Sequence, residues 1–445
     1  MARAGPAALL LAASAVLAFH SAGAAALDAD ALSQRYRNWH YFPDWVIPPL
    51  CMNPFTCKSN ATDGPYATSR VTDVFQLVQL PEEPGLWRAF YLQYDGIGYE
   101  TYSASSLDMV HFDLADPTLI PGQPGCIASP RAGRPPLADA KPVKGDADWG
   151  GITFIGPLLQ NYTVGAPAVL RRTSNGKLWY AAGGYPGTGY EAGAGADFIF
   201  ESADGLNWRH AVPHAPFLDP VPAHGAAPWE SNVIYAPFLF PALDGSLGDF
   251  YNAQRQGGLE ESGAAYLPGG AEALPGWDAA INTSLWRRDA ANPLLPNDVN
   301  ASFQASDPKV FYDAEQGVWI NIYFCNGDYK EPPYAGGANI CIAFSLDQRQ
   351  WVKSSTPLYA HGGHPKGYDA EHAHKVWLTT NPATGVQCEW RGGGGGRSWP
   401  PPPHSRASRS RHANPPHTHA PPADLYYTGV FGGGRGILLL TSEPL

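Results

Sequence analysis

The chain has 445 residues, a formal net charge of −11 and an apolar content of 44%. So acidic a chain is poorly suited to nucleic-acid phosphates, and beyond the N-terminus no apolar run reaches the roughly 18 residues of a membrane helix. Only 16% of residues are charged, while 49 glycines and 44 prolines fit a protein of many short strands and turns.

Residues 1–26 read as a secretory signal, with Arg3 as the positive start, an apolar core and small residues before the cleavage site. A buried N-terminal helix is the alternative. Asn-x-Ser/Thr triplets at Asn60, Asn161, Asn282 and Asn300 fit a secreted glycoprotein. In an oxidising compartment cysteines pair. Cys325 and Cys341 are expected to face each other across adjacent strands, Cys51 and Cys57 to close a small loop; Cys126 and Cys388 are left without an assigned pairing.

A repeating unit organises the rest. Ser306-Asp307-Pro308-Lys309 runs into a short alternating strand, a polar turn at Asp313 to Gly317, and a second strand rich in β-branched and aromatic residues. Similar openings stand at Ala166-Pro167, Ala236-Pro237 and Ala373-His374, about 66 to 71 residues apart. Each unit's far end carries a Ser-x-Asp turn followed by an aromatic strand: Ser106-Leu107-Asp108 to Phe112, Ser202-Ala203-Asp204 to Trp208, and Ser345-Leu346-Asp347 to Trp351. The three aspartates are expected to bond turn amides and the aromatic residues to fill the core. Four strands per unit and five units describe an all-β chain, a five-bladed β-propeller with four-stranded antiparallel blades. The last unit runs out before its fourth strand, which the aromatic stretch from Trp39 to Phe42 is expected to supply, closing the ring and removing open edges.

Residues 391–422 break the pattern with a glycine run, prolines, Arg, Ser and His. They carry too little apolar surface for a core and are expected to be a disordered insert within a hairpin, a translated intron or recent insertion. The propeller domain is thus expected over residues 27–445, interrupted there.

Chemistry is expected where the innermost strands begin, because those ends converge on the axis. Asp44, Glu230, Asp307, Asp369 and His374 with Lys375 stand at such places, and Glu191 lies on a loop of the second unit. Carboxylates from different blades meeting in one pocket are what glycoside hydrolysis needs: one donates a proton to the leaving oxygen, another attacks the sugar or activates water. Trp149, Tyr162, Tyr185 and Trp229 are expected near the mouth, where they could stack on sugar faces. Each residue also has a plain structural reading. Asp307 could accept backbone N–H bonds, Glu230 could pair with an Arg or Lys, and His374 could hold a water or an axial structural Ca²⁺.

These motifs resemble the five-bladed propeller glycoside hydrolase superfamily, most closely secreted proteins like families 43 and 32. The residues that carry the resemblance are Trp229-Glu230-Ser231, Asp307-Pro308-Lys309-Val310 and His372-Ala373-His374-Lys375, with Phe250-Tyr251-Asn252-Ala253 and Gly362-Gly363-His364-Pro365 adding to it. The resemblance implies a catalytic set of Glu230 as general acid, Asp307 at the sugar ring and Asp44 as the first-unit carboxylate. Glu191, Trp229, Asn232, Asp369, His374 and Lys375 would bind substrate. Those families place a first-blade Asp, a second Asp and then a Glu, whereas here Glu230 precedes Asp307. The implied function is cleavage of a poly- or oligosaccharide by a secreted monomer that requires no cofactor and no metal ligands for catalysis. The alternatives are a non-catalytic carbohydrate-binding propeller and a protein-interaction propeller working through its outer loops.

Overall fold

The computed structural model describes residues 27–47, 70–94, 99–112, 150–185, 195–205, 208–212, 215–255, 258–270, 285–297, 304–326, 337–380, 424–431 and 434–441. The signal sequence, Glu191, Trp149, the 391–422 insert and Cys51, Cys57, Cys126 and Cys388 lie outside the described residues.

A short helix, α1 (Ala29–Ser33), leads to β1 (His40–Tyr41). Blade one follows with β2 (Arg70–Gln79), β3 (Trp87–Tyr94) and β4 (Tyr99–Ser106), three strands among the described residues. Blade two has β5 (Gly150–Pro157), β6 (Leu178–Tyr185), β7 (Ala196–Ser202) and β8 (Arg209–His210). Blade three has β9 (Val233–Pro241), β10 (Leu247–Gln254), β11 (Glu261–Leu267) and β12 (Arg287–Arg288). Blade four has β13 (Ser306–Asp313), β14 (Val318–Asn326), β15 (Ala338–Ser345) and β16 (Val352–Lys353). Blade five has β17 (His372–Thr379), β18 (Asp424–Phe431) and β19 (Gly434–Thr441). The sheets are antiparallel within each blade and stand in a ring, so the chain is a five-bladed β-propeller. No helix among the described residues is long and apolar enough to cross a membrane.

The ring closes as the sequence implies: β1 pairs antiparallel with β19, His40 opposite Thr441, and supplies the outer strand of blade five. The segment before it is clamped to blade four. Tyr36 Oη donates to Asp313, Arg35 pairs with Glu315, and Arg37 donates to the carbonyls of Thr356 and Pro357. One N-terminal segment therefore ties blades four and five together.

The Ser-x-Asp turns work as local chemistry requires. Ser106 Oγ accepts the amides of Asp108 and Met109, and Asp108 accepts those of Val110 and His111; Ser345 and Asp347 repeat most of this pattern. The residue after each Asp has a left-handed backbone: Met109, Gly205 and Gln348. The aromatic residue that ends each motif then packs into the gap between blades. Trp208 meets Phe90 of blade one and Tyr180, and Trp351 meets Phe250 of blade three. Edge-to-face pairs of this kind add about 0.5–1.5 kcal/mol each beyond the area they bury. Cys325 and Cys341 form the expected disulfide between β14 and β15, with Cα atoms 5.8 Å apart.

Candidate functional site

The inner strands share one irregularity. Register slips fall at Asp73/Phe75 in β2, at Ser306/Lys309 in β13 and at His374/Trp377 in β17, and β9 slips against β10 at the same level. The bulged residues Val74, Ala236, Asp307 and Lys375 have φ of 42°, 55°, 54° and 53°. A side chain tolerates that conformation poorly, so the surrounding ring must enforce it. Each bulge re-aims the residues next to it at the axis. In blades one, four and five those residues are polar.

Asp73 is fully buried. Its Oδ2 takes Lys375 Nζ at 3.0 Å and Arg435 Nη1 at 2.7 Å, and its Oδ1 takes the Val74 amide at 2.9 Å. His374 Nε2 lies 3.9 Å from Oδ1. Burial alone would raise the Asp73 carboxyl, but Lys375 and Arg435 outweigh it and hold the group well below the usual carboxylate range. Asp73 is therefore ionised.

In blade four, Asp307 Oδ1 accepts Lys309 Nζ at 2.6 Å, while its buried Oδ2 has no hydrogen-bond partner among the described residues. Burial pushes the Lys309 ammonium down, Asp307 pulls it back up, and repulsion from Lys375 adds to the lowering. The Asp307–Lys309 and Asp73–Lys375 pairs both stand at the bulged level of their inner strands. His374 is pushed well below its ordinary value by burial, against the pull of Asp73, and its Nε2 has no hydrogen-bond partner. It is a neutral imidazole facing a carboxylate.

The other residues singled out from sequence fall elsewhere. Glu230 is fully buried on a single turn before β9. It accepts from Tyr251 Oη, from its own turn's Ala227 amide, and from Arg288 Nε at 2.9 Å, so both oxygens are taken. The axial group is not among its partners, and the Arg-pairing reading of this residue is the one the geometry fits. Trp229 stacks on Tyr251 at 5.9 Å, and Asn232 donates its backbone amide to Gln254. Asp369 accepts Tyr359 Oη at 2.6 Å, Tyr427 Oη at 3.1 Å and the His364 amide. Asp44 is exposed, paired with Lys366 at 3.1 Å beside the stacked rings of Trp45 and Tyr368. Lys375 is the ion partner of Asp73. Tyr162, expected near the mouth, is buried edge-on against Phe238, because the chain from 158 to 170 turns beneath the inner strands.

Asp73 and Arg435 are not singled out by the sequence, and Lys309 enters there only as part of the Asp307-Pro308-Lys309-Val310 motif. The available signal was Val71-Thr72-Asp73-Val74, which matches Ala305-Ser306-Asp307 and Ala373-His374-Lys375 once the bulges are aligned. Among the described residues no group of three or more His, Cys, Asp or Glu side chains could hold a metal ion. The charge that an axial Ca²⁺ would bring to Asp73 comes from Lys375 and Arg435, so this donor set does not fit one.

No family model matches the chain, and no curated protein matches it. Solved structures do. The structure of BT0996 in its RGII complex aligns over 94% of this chain and 96% of its own, with 17% identity and a TM-score of 0.60. A thermostable family-43 glycoside hydrolase aligns over 84% and 96%, at 12% identity and a TM-score of 0.45. The GH32 beta-fructofuranosidase BmSUC1 of Bombyx mori, as a D63A mutant with sucrose, aligns over 96% and 66%, at 11% identity and a TM-score of 0.44. The first of these is a likeness of fold over nearly the whole of both proteins. The chain is a five-bladed β-propeller, and the fold is what this likeness shows.

Proposed function

We propose that the protein is a secreted glycoside hydrolase whose reacting centre is the axial layer, with Asp73 and Asp307 as its two carboxylates. The observation that supports this reading is that blades one and four each set a buried carboxylate at the bulged level of the inner strand, Asp73 held ionised by Lys375 and Arg435 and Asp307 with Oδ2 left over. The glycosidic transition state develops positive charge on the sugar ring and negative charge on the leaving oxygen. Asp73 would face the ring as nucleophile or stabilising anion. Asp307 Oδ2 is the oxygen left to exchange a proton with the leaving group. Neutral His374 would contact a sugar hydroxyl through Nε2. Glu230, the acid that the sequence resemblance implies, serves here as a brace.

Secretion is supported by the apolar N-terminus, the Asn-x-Ser/Thr triplets and the Cys325–Cys341 disulfide. The substrate would be a poly- or oligosaccharide met by a monomer outside the cell.

The test is hydrolysis of a panel of aryl glycosides and oligosaccharides by wild type and by Asp73→Asn, Asp307→Asn and Glu230→Gln, each checked for folding by circular dichroism. Removing a positioned acid or base lowers turnover about 10²–10⁴-fold; that loss is expected for the two aspartate variants and not for Glu230→Gln. Glycan binding without turnover in wild type would replace catalysis with a carbohydrate-binding role.

A further inference from the structure

From the segment that crosses the far ends of the inner strands we infer that Asn161 is a modification site, whose side-chain nitrogen carries an N-linked oligosaccharide. The inference rests on the secretion reading above and concerns a separate place in the fold. Asn161-Tyr162-Thr163 is one of four Asn-x-Ser/Thr triplets in the chain, with no proline at its middle position. Those at Asn60, Asn282 and Asn300 lie outside the described residues.

Residues 158–170 leave blade two as a strap held mostly through its backbone. Leu170 N–H donates to Gln79 of blade one and Val164 N–H to Tyr312 of blade four, each at 2.8 Å. Ala168 N–H reaches Thr379 Oγ1 of blade five at 3.4 Å, and Tyr162 lies edge-on against Phe238 of blade three. Gln79, Tyr312 and Thr379 stand at the ends of β2, β13 and β17 away from the bulges. Tyr162 anchors the middle of the strap: its hydroxyl accepts the Leu159 amide at 3.1 Å, and its carbonyl accepts the Tyr312 amide at 2.8 Å. With Leu159 and Tyr162 buried, Gln160 and Asn161 are left exposed and Thr163 half-buried.

A bulky glycan is tolerated where the modified nitrogen faces open space and the fold does not use it. Asn161 meets both conditions. Its Oδ1 accepts the Thr163 amide at 2.9 Å, an Asx turn, while its Nδ2 makes no hydrogen bond among the described residues. A pit lined also by Val164, Phe311, Leu378 and Thr379 opens beside it. The Oδ1 bond survives modification, because the amide carbonyl stays in place. In the transfer, Nδ2 bonds to the anomeric carbon of a lipid-linked oligosaccharide diphosphate. The bond from that carbon to the phosphate oxygen breaks, the lipid diphosphate leaves with the electron pair, and the displaced Nδ2 proton goes to a base of the transferring enzyme.

The full chain is expressed with its own N-terminus in a eukaryotic cell line, and protein from the medium is treated with peptide N-glycosidase in heavy-oxygen water. The treatment turns a glycosylated asparagine into aspartate carrying the heavy atom, which peptide mass spectrometry assigns to a residue. Most copies of the Asn161 peptide should carry the label. Asn161→Gln and Thr163→Ala should each remove it together with one step of gel mobility, and Thr163→Ser should keep both. An unlabelled Asn161 in secreted wild type, or label confined to protein retained in the cell, overturns the inference and leaves the secretion reading standing. If no protein reaches the medium, the secretion reading fails, and the same labelling with a foreign signal sequence ahead of the full chain decides the site: an unlabelled Asn161 there overturns it.

Discussion

Glu230 and Asp369 occupy the same place in blades three and five. Each lies five residues before the residue that precedes the bulge, Tyr235 and His374. Each accepts from the second-strand tyrosine facing that bulge, Tyr251 and Tyr427. A feature that recurs from blade to blade belongs to the scaffold, so these two acids hold the inner strands to their partners. Glu230→Ala leaves Arg288 buried without its carboxylate and is expected to destabilise the fold by about 3–5 kcal/mol. Asp369→Asn, which keeps a hydrogen-bonding group, is expected to cost about 1–3 kcal/mol. Urea unfolding gives these differences, and kcat of the folded fraction should stay near wild type. A hundredfold fall in kcat at unchanged stability would return Glu230 to the reacting set.

Asp73 makes the opposite prediction, because it should matter both to folding and to turnover. Its carboxyl is held below its ordinary value, so the stability it contributes is complete above the unfolded carboxylate pKa, roughly 4, and is lost as pH falls from there. Asp73→Asn should remove part of the acid limb of the stability profile and destabilise the fold at pH 7 by about 3–5 kcal/mol, since Lys375 and Arg435 lose their shared anion. Melting curves of both proteins between pH 2 and pH 7 test this; curves that stay parallel over that range would show that the ion cluster contributes nothing net.

How far the sequence could be read depended on whether a feature was local. Ser-x-Asp turns, the hairpin at Asp313 to Gly317 and the Cys325–Cys341 pair are legible because nearby residues decide them, and the closing strand at His40 because the repeat leaves blade five one strand short. Asp307, His374 and Lys375 were legible too, lying beside a proline or within a run of polar residues at a strand start. Asp73 was not. The left-handed Val74 shifts the phase of β2, so period-two alternation begins the strand after Asp73 and leaves it in the preceding loop. For Glu230 the sequence carries both readings, because a carboxylate ahead of a blade looks the same whether it reacts or braces. Its partner Arg288 comes from the outer strand of the same blade, which no local pattern announces.

Asp197 of blade two and Asp249 of blade three form a second buried acid pair. Both are fully buried, and none of their four oxygens has a side-chain hydrogen-bond partner among the described residues. Burial raises both carboxyls well above the ordinary range, and the charge of Asp249 raises Asp197 further, with Arg288 opposing. The favoured folded form is therefore protonated. Stability is expected to fall as pH rises above the unfolded carboxylate pKa toward the folded values. Asn mimics the neutral acid, so Asp197→Asn should flatten the profile between pH 5 and pH 8 and should match or exceed wild type at the upper end. A variant that is less stable than wild type at pH 8, with an unchanged slope, would sink the assignment.

Asp424 gives the most sharply placed titration. It opens β18, lies opposite Thr379 and Thr441, and is buried at the start of the last hairpin. Burial, with no cation offsetting it, pushes its carboxyl up to about 7. The sign follows from linkage: the unfolded chain releases this proton near pH 4 and the folded chain holds it until about pH 7. Folding stability from this group is thus lost steadily between those values and is level outside them, by an amount on the order of a few kcal/mol. Asp424→Asn removes the titration while keeping the shape, so its unfolding free energy should fall less steeply than that of wild type from pH 4 to pH 7. The two curves should run parallel above pH 8. Chemical denaturation at half-unit pH steps separates the outcomes, since wild-type and variant curves of equal slope from pH 4 to pH 7 would mean that Asp424 is ionised in the folded protein.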